Sequence, residues 1–316
     1  MPVRCYEDFT IGEVVEAGPV LVTGEAIEAF AAEFDPQPMH LDAGAAQNAI
    51  VGGQFASGMH TVCLNMRLLV DGFLRNTNAM GSPGGRGDPL SRAGTGWRQP
   101  HHASRSHRPA PVSEPRRYRL SQMPQRDAQW VRQGGDAHDR DLDLWAARAR
   151  RRGEDAMNFF EDHVVGARVE IGRHTFMADE IKAFALQFDP QPFHLDEAAA
   201  ARSHFGGLIA SGWHTAAVCL RLLVEERHRR QAELRRRGET VAKTGPSPGL
   251  RNLQWPRPVY AGDTVSYAHE VVELRPLADR GDVGLRVARN TGINQHGGLV
   301  YSVLTSTFVE RREKQG

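Results

Sequence analysis

Cysteine is scarce in this chain: there are three in 316 residues, Cys5, Cys63 and Cys219, with no CxxC spacing and no even pairing. That excludes a disulfide framework and leads us to expect free thiols in a reducing, cytoplasmic compartment. Long apolar runs are missing too, and without a stretch of about 18 apolar residues no membrane span is expected. Residues 1–13 carry acidic side chains and no apolar run, so no secretory signal is expected either. Charge of one sign is not in excess, and a net charge of +1 calls for no polyanionic partner such as nucleic acid. No phosphate-binding loop, redox motif or metal-ligand cluster appears, so neither a metal nor a cofactor is expected.

One long stretch lacks even more. Residues 85–156 contain 15 Arg but no Lys, no Ile, no Phe and only six Val plus Leu. That apolar content is far below what a folded segment of this length needs.

What the chain does have, it has twice. Phe34-Asp35-Pro36-Gln37-Pro38-Met39-His40-Leu41-Asp42 recurs as Phe188-Asp189-Pro190-Gln191-Pro192-Phe193-His194-Leu195-Asp196, with one position changed. At that offset residues 6–71 align with 160–225 without a gap, and somewhat under half of the positions are identical. A repeat of this length is a whole small domain, too long for a solenoid unit. In each copy an Asp and a His lie five residues apart, and the prolines between them fix φ and remove backbone donors. A stiff turn holding an acid and an imidazole suits acid/base chemistry. The plainer alternative is that the Asp caps the next helix.

Around this turn each copy predicts the same order. A short strand (Val14-Val15-Glu16; Val169-Glu170-Ile171) leads to a helix with Ile27, Phe30, Ala31 and Phe34, or Ile181, Phe184, Ala185 and Phe188, on one face. After the turn come a Gly-Gly pair, Ala-Ser-Gly and a longer helix, with Ser57 and Ser211 as N-caps and Gly58 and Gly212 in the first turn. In the second copy four β-rich runs follow, at 250–255, 264–274, 283–291 and 299–309, separated by turn residues. The second copy therefore predicts one long helix wrapped by an antiparallel sheet.

The first copy has no such runs, and three readings of 85–156 compete: a disordered linker, an arginine-rich nucleic-acid arm interleaved with Trp97, Tyr118 and Trp130, or a segment translated out of frame. The genetic code bears on the third. Trp97 must be TGG, which one base later begins a Gly codon, and that Gly falls thirteen residues after Gly84, as Gly262 does after Gly249. Near the far end, the shifted codons of Asp141 to Trp145 permit Thr-Ser-Thr-Phe, as at Thr305 to Phe308. Met157-Asn158 must be ATG-AAY, which one base later contains the stop TGA. The expectation is two genes joined by a frameshift near Gly84 and Gly85, dividing the chain into a partial domain at 1–84, the Arg-rich segment at 85–156 and a complete domain at 157–316.

Helix, Asp-x-x-Pro-x-His, Ala-Ser-Gly, long helix and Pro258-Val259-x-x-Gly262-Asp263 together resemble the MaoC-like hydratase/dehydratase family, which includes (R)-specific enoyl-CoA hydratases. Gln37 and Gln191 stand where the family usually has Asn. The resemblance implies an α+β hotdog fold and a lyase that reversibly hydrates a trans-2-enoyl-CoA, or an acyl-carrier thioester, to the (3R)-hydroxyacyl form. It implies that Asp189 and His194 activate water and that the Gly212 N–H polarises the thioester carbonyl, where helix N-terminal charge favours a developing enolate. Asp35, His40 and Gly58 hold the matching places in the first copy, whose half-site is expected to be inactive because its sheet is missing. A Ser that some members place five residues after the Gly is absent; Cys63 and Ala217 stand there, with Thr61 and Thr215 the nearest hydroxyls. His60 and His214 are expected to pack. The Arg-rich run at 225–239 is either a solvated helix face or a contact for CoA phosphates. The other functional readings are a hotdog thioesterase and a non-catalytic acyl-thioester-binding or partner subunit. Hotdog domains pair through their sheets, so a homo-oligomer is expected.

Overall fold

The structure, a computed structural model, describes residues 3–10, 13–47, 53–78, 80–82, 84–85, 116–119, 158–245, 247–277 and 280–312. Most of the Arg-rich segment, and with it the frameshift reading, lies outside these residues.

The first copy opens with β1 (Val14–Ala17) and α1 (Gly24–Phe34), whose buried face is Ile27, Phe30, Ala31 and Phe34, as the spacing predicts. Two short helices, α2 (Pro38–Leu41) and α3 (Ala43–Gln47), lead to α4 (Gly58–Gly72). Two described fragments follow, β2 (Gly84–Gly85) and β3 (Arg116–Arg119), and β3 pairs antiparallel with β1.

The second copy repeats this order and completes it. It runs through β4 (Arg168–Thr175), α5 (Ala178–Phe188), α6 (Pro192–Leu195), α7 (Glu197–Arg202) and the 25-residue α8 (Gly212–Arg236). The four β-rich runs then form β5 (Gly249–Gln254), β6 (Thr264–Leu277), β7 (Arg280–Asn294) and β8 (Leu299–Glu310). Their antiparallel sheet has the order β2-β5-β8-β7-β6-β4. One face of α8 (Ala216, Val218, Cys219) packs into a core with Val265, Tyr267, Val300 and Val303 of the sheet, and the buried Tyr267 hydroxyl donates to the Thr215 carbonyl at 3.1 Å. A long helix wrapped by an antiparallel sheet is the hotdog fold, here one complete domain and a partial N-terminal copy.

Where the first copy meets this sheet, β2 adds to its edge with Gly84 opposite Gln254. The two backbones are so close that a Cβ on Gly84 would lie 2.3 Å from the Leu253 carbonyl oxygen, and its φ is +122°. Only glycine fits there.

The copies also join through aromatic side chains of α1 and α5. Phe34 meets Phe184 edge-on at 5.6 Å and Phe30 meets Phe188 at 5.5 Å, two reciprocal contacts in which each ring packs on the counterpart of its neighbour in the other copy. Arg67 of α4 adds a donor to the Leu186 carbonyl at 2.7 Å. Edge-to-face rings contribute beyond the area they bury. No helix among the described residues is long and apolar enough to cross a membrane.

Phe184→Ala empties the centre of this seam. It is expected to lower the unfolding free energy by about 3–5 kcal/mol, read from the urea midpoint of the full chain. A loss below about 1 kcal/mol would show that the seam is not packed as described.

Candidate active site

The repeated turn begins at the end of α1 or α5. Asp189 is the C-cap of α5 and its backbone N–H donates to Ala185, so its side chain leaves the helix end in a fixed direction. It does not cap the next helix: Gln191 is the cap residue of α6, and Pro192 starts that single turn with φ already set. The stretch expected as a stiff turn is thus a one-turn helix, because a proline at the first helical position lacks only a donor that would be unsatisfied there anyway. Asp35, Gln37 and Pro38 repeat the arrangement.

Both carboxylates are buried, each 3% exposed, and both are tied down. Gln191 Nε2 donates to Asp189 Oδ1 at 2.9 Å, and Ser211 Oγ donates to Oδ2 at 2.6 Å. In the first copy Gln37 and Ser57 do the same to Asp35 at 2.7 and 2.5 Å. Such bonds to a charged acceptor are the stronger kind, and here they set the orientation of the carboxylate.

The imidazoles are fixed just as firmly. His194 Nδ1 lies 2.8 Å from the Ile209 carbonyl, and His40 Nδ1 lies 2.8 Å from that of Phe55. A carbonyl only accepts, so Nδ1 carries a proton, and Nε2 is the ring atom turned to the carboxylate. The Ile209 carbonyl is itself placed by backbone bonds from Ile209 to Phe193 and from Ala210 to Val259. Nε2 stands 3.4 Å from Asp189 Oδ2, and 3.5 Å from Asp35 Oδ2 in the first copy. In the ring form whose Nε2 carries no proton, two acceptors face each other in each site, and a water donating one hydrogen to each would keep its oxygen lone pairs free for attack.

Ser211 has a second task, since its Oγ also accepts from the Trp213 N–H at the start of α8. The carboxylate is thereby anchored beside a helix N-terminus, as Ser57 anchors Asp35 at α4. Gly212 follows directly, and among the described residues its N–H has no acceptor. A Cβ on Gly212 would lie 2.5 Å from Trp255 Cε2, so an indole from the sheet demands glycine here. Gly58 has open space at that point. Ser211 and Ser57, expected only as caps, and the two glutamines are the site residues that sequence reasoning missed. Their one signal was that both copies keep them.

Thr215 and Thr61, the nearest hydroxyls along the helices, bond back to their own backbone at Gly212 and Ser57. Cys63 and Cys219 are buried, which pushes both thiols well up and leaves no thiolate nucleophile. The turn at 258–263 is structural: Asp263 Oδ2 accepts from the Tyr260 N–H at 2.8 Å and closes the loop before β6.

His60 and His214 do not reach the carboxylates. His60 stacks on Phe30 and His214 on Phe184, each at 4.5 Å and nearly parallel, so they extend the seam between the copies. Burial pushes them down to about 4 and about 3. The buried His163 and His269 are likewise held at about 4 and about 3, by burial and then by Arg286.

Fold and geometry together define a hotdog protein with a buried Asp/His pair in each of two packed copies. The MaoC-like domain model matches residues 8–82 and 162–291, and the chain belongs to that family, in two tandem copies. It is 29% identical over 133 residues to the uncharacterized protein YdeM of Bacillus subtilis, 42% of this chain and 85% of that one. It is 38% identical to the crystal structure of the MaoC-like dehydratase from Rhodospirillum rubrum, over 49% of this chain and 98% of that one, with a TM-score of 0.41. The putative MaoC domain protein dehydratase from Chloroflexus aurantiacus is 12% identical, covers 99% of both chains and has a TM-score of 0.62, a likeness of fold across the two copies.

The four histidines have folded values below the ordinary 6.5. The unfolded chain therefore takes up protons before the folded one does, and stability is greatest above pH 6.5 and falls as the pH drops toward about 4. Thermal melts across this window should show that loss, and His214→Leu should flatten it. A melting temperature independent of pH there would contradict the buried, neutral histidines.

Proposed function

We propose that Asp189 and His194 form the working site of a hydro-lyase that reversibly hydrates a trans-2-enoyl-CoA, or an acyl-carrier thioester, to the (3R)-hydroxyacyl form. The observation that carries it is the pair of facing atoms, Asp189 Oδ2 and His194 Nε2, 3.4 Å apart, each group oriented by further hydrogen bonds. A water between them adds its oxygen to the β-carbon while Asp189 takes the proton, with His194 sharing in the transfer. The α-carbon then receives a proton from the same pair, so the site ends as it began. Enolate charge forms on the thioester oxygen, and the free Gly212 N–H at the start of α8 is the donor that would meet it. Nothing in this scheme uses a metal or a cofactor besides the thioester itself.

Asp35, His40 and Gly58 repeat the geometry, but the first copy is not followed by sequence able to build its own sheet, and we expect this half-site not to turn over. The edge of β5, met among the described residues by the two residues of β2, suits pairing with another chain, and a homo-oligomer fits the reading.

The direct test follows the loss of enoyl-thioester absorbance with crotonyl-CoA, beside a thiol reagent that detects free CoA. Hydration without thiol release is expected, and thiol release would make the protein a thioesterase. His194→Ala should lower kcat about 100- to 10,000-fold. Ser211→Ala, which frees one side of the carboxylate, should cost about 10- to 100-fold. An absence of both reactions would favour a non-catalytic partner.

A further inference from the structure

Four residues of the complete domain form a polar group that the Asp189 site does not use. On β7, Arg286 and Asn290 share a face, and Asn290 Oδ1 accepts from Nδ1 of His269 on β6 at 2.7 Å. His163 lies near them; burial, then Arg286, pushes it down. Arg286 Nε, His163 Nδ1 and His269 Nε2 are all buried without a hydrogen-bond partner. The two histidines are more than nine-tenths buried.

Arg227 of α8 adds a second cation. It points away from the charge run expected as a solvated face: Arg229, Arg236 and Arg237 are exposed and paired with Glu226 or Glu233, but Arg227 is half-buried. Its Nη2 donates to Gln37 Oε1 at 2.7 Å, and Gln37 in turn donates to Asp35. The second copy thus reaches into the first copy's half-site. Position 73, the counterpart of Arg227 under the repeat, is Phe, and Gln191 receives no such bond.

The charges do not balance. Among the described residues no carboxylate pairs with Arg227 or Arg286. Glu226 is taken by Arg229 and Arg230, and Asp35 by Gln37, Ser57 and His40. Burial, then Arg227 and Arg230, pushes Arg286 down to about 10. Arg227 feels only the Asp35 carboxylate, already bonded by Gln37 and Ser57, and half-buried guanidinium groups with no ion pair of their own are costly; an oxyanion with several acceptor positions is what their planar donors fit.

We propose that Arg227 and Arg286, with His163 beside them, bind the oxyanion of a ligand that enters the Asp35–His40 half-site at the seam between the copies. The group is a carboxylate, from a doubly charged acyl chain, or a phosphate, from the arm that carries the thioester. The first half-site then serves recognition in place of turnover. This goes beyond the hydratase reading, and its test needs no turnover.

Thermal unfolding of the full chain is measured with inorganic phosphate, with succinate and with chloride at matched ionic strength. Phosphate or succinate should raise the melting temperature saturably, by about 5–10 °C at a hundredfold excess over Kd, and chloride should not. A rise with phosphate alone assigns the site to the carrier arm, and a rise with succinate alone assigns it to an acyl carboxylate. Arg286→Met and Arg227→Met should abolish the rise, and Arg286→Met without anion should melt no lower than wild type, because it removes a half-buried charge with no ion pair. Equal rises in wild type and both variants, no rise beyond chloride, or a lower melting point of Arg286→Met without anion would each overturn the proposal.

Discussion

Everything at the second site depends on one buried carboxylate held at the end of a helix. Asp189 leaves α5 where the backbone stops being helical, and Gln191 and Ser211 fix its two oxygens. Because Ser211 is also the cap of α8, the carboxylate, the helix N-terminus and the Gly212 N–H share one short connection. His194 is oriented from the other side by a carbonyl that backbone bonds to Phe193 and Val259 hold in place. Buried acceptors keep such geometry only if each is bonded, since an unsatisfied one costs about 1–3 kcal/mol.

The same construction appears in the first copy with distances that differ by 0.2 Å or less between equivalent bonds. What separates the two sites is therefore not the dyad but its surroundings. Trp255 covers Gly212, and Gly58 is open. Gln37 takes a guanidinium from α8, and Gln191 does not. Duplication supplied two equal half-sites, and the ten extra residues of α8 (25 against 15 in α4) made them unequal.

Much of this was legible in the sequence because it is local. Apolar spacing located α1 and α5 and their buried faces, the Ser-Gly pairs marked the starts of α4 and α8, and alternation gave four strands within a few residues of their true ends. The missed features are contacts between distant positions. Ser211 is 22 residues from the carboxylate it binds and Arg227 is 190 from Gln37, so no periodicity reports either. The Arg-rich run at the end of α8 read as uniform, yet one turn of the helix carries Arg227 inward while Arg229 stays in solvent. Gly212 read as a place for ligand approach, and its tightest neighbour proved to be an indole from β5's end.

The decisive comparison is between Asp189→Asn and Asp35→Asn in the full chain, each assayed for crotonyl-CoA hydration under identical conditions. Both amides preserve shape and remove only the carboxylate charge. Hydration should fall about 100- to 10,000-fold in Asp189→Asn and stay near wild type in Asp35→Asn. Full activity in Asp189→Asn, or its loss in Asp35→Asn alone, would contradict the assignment of chemistry to the second copy.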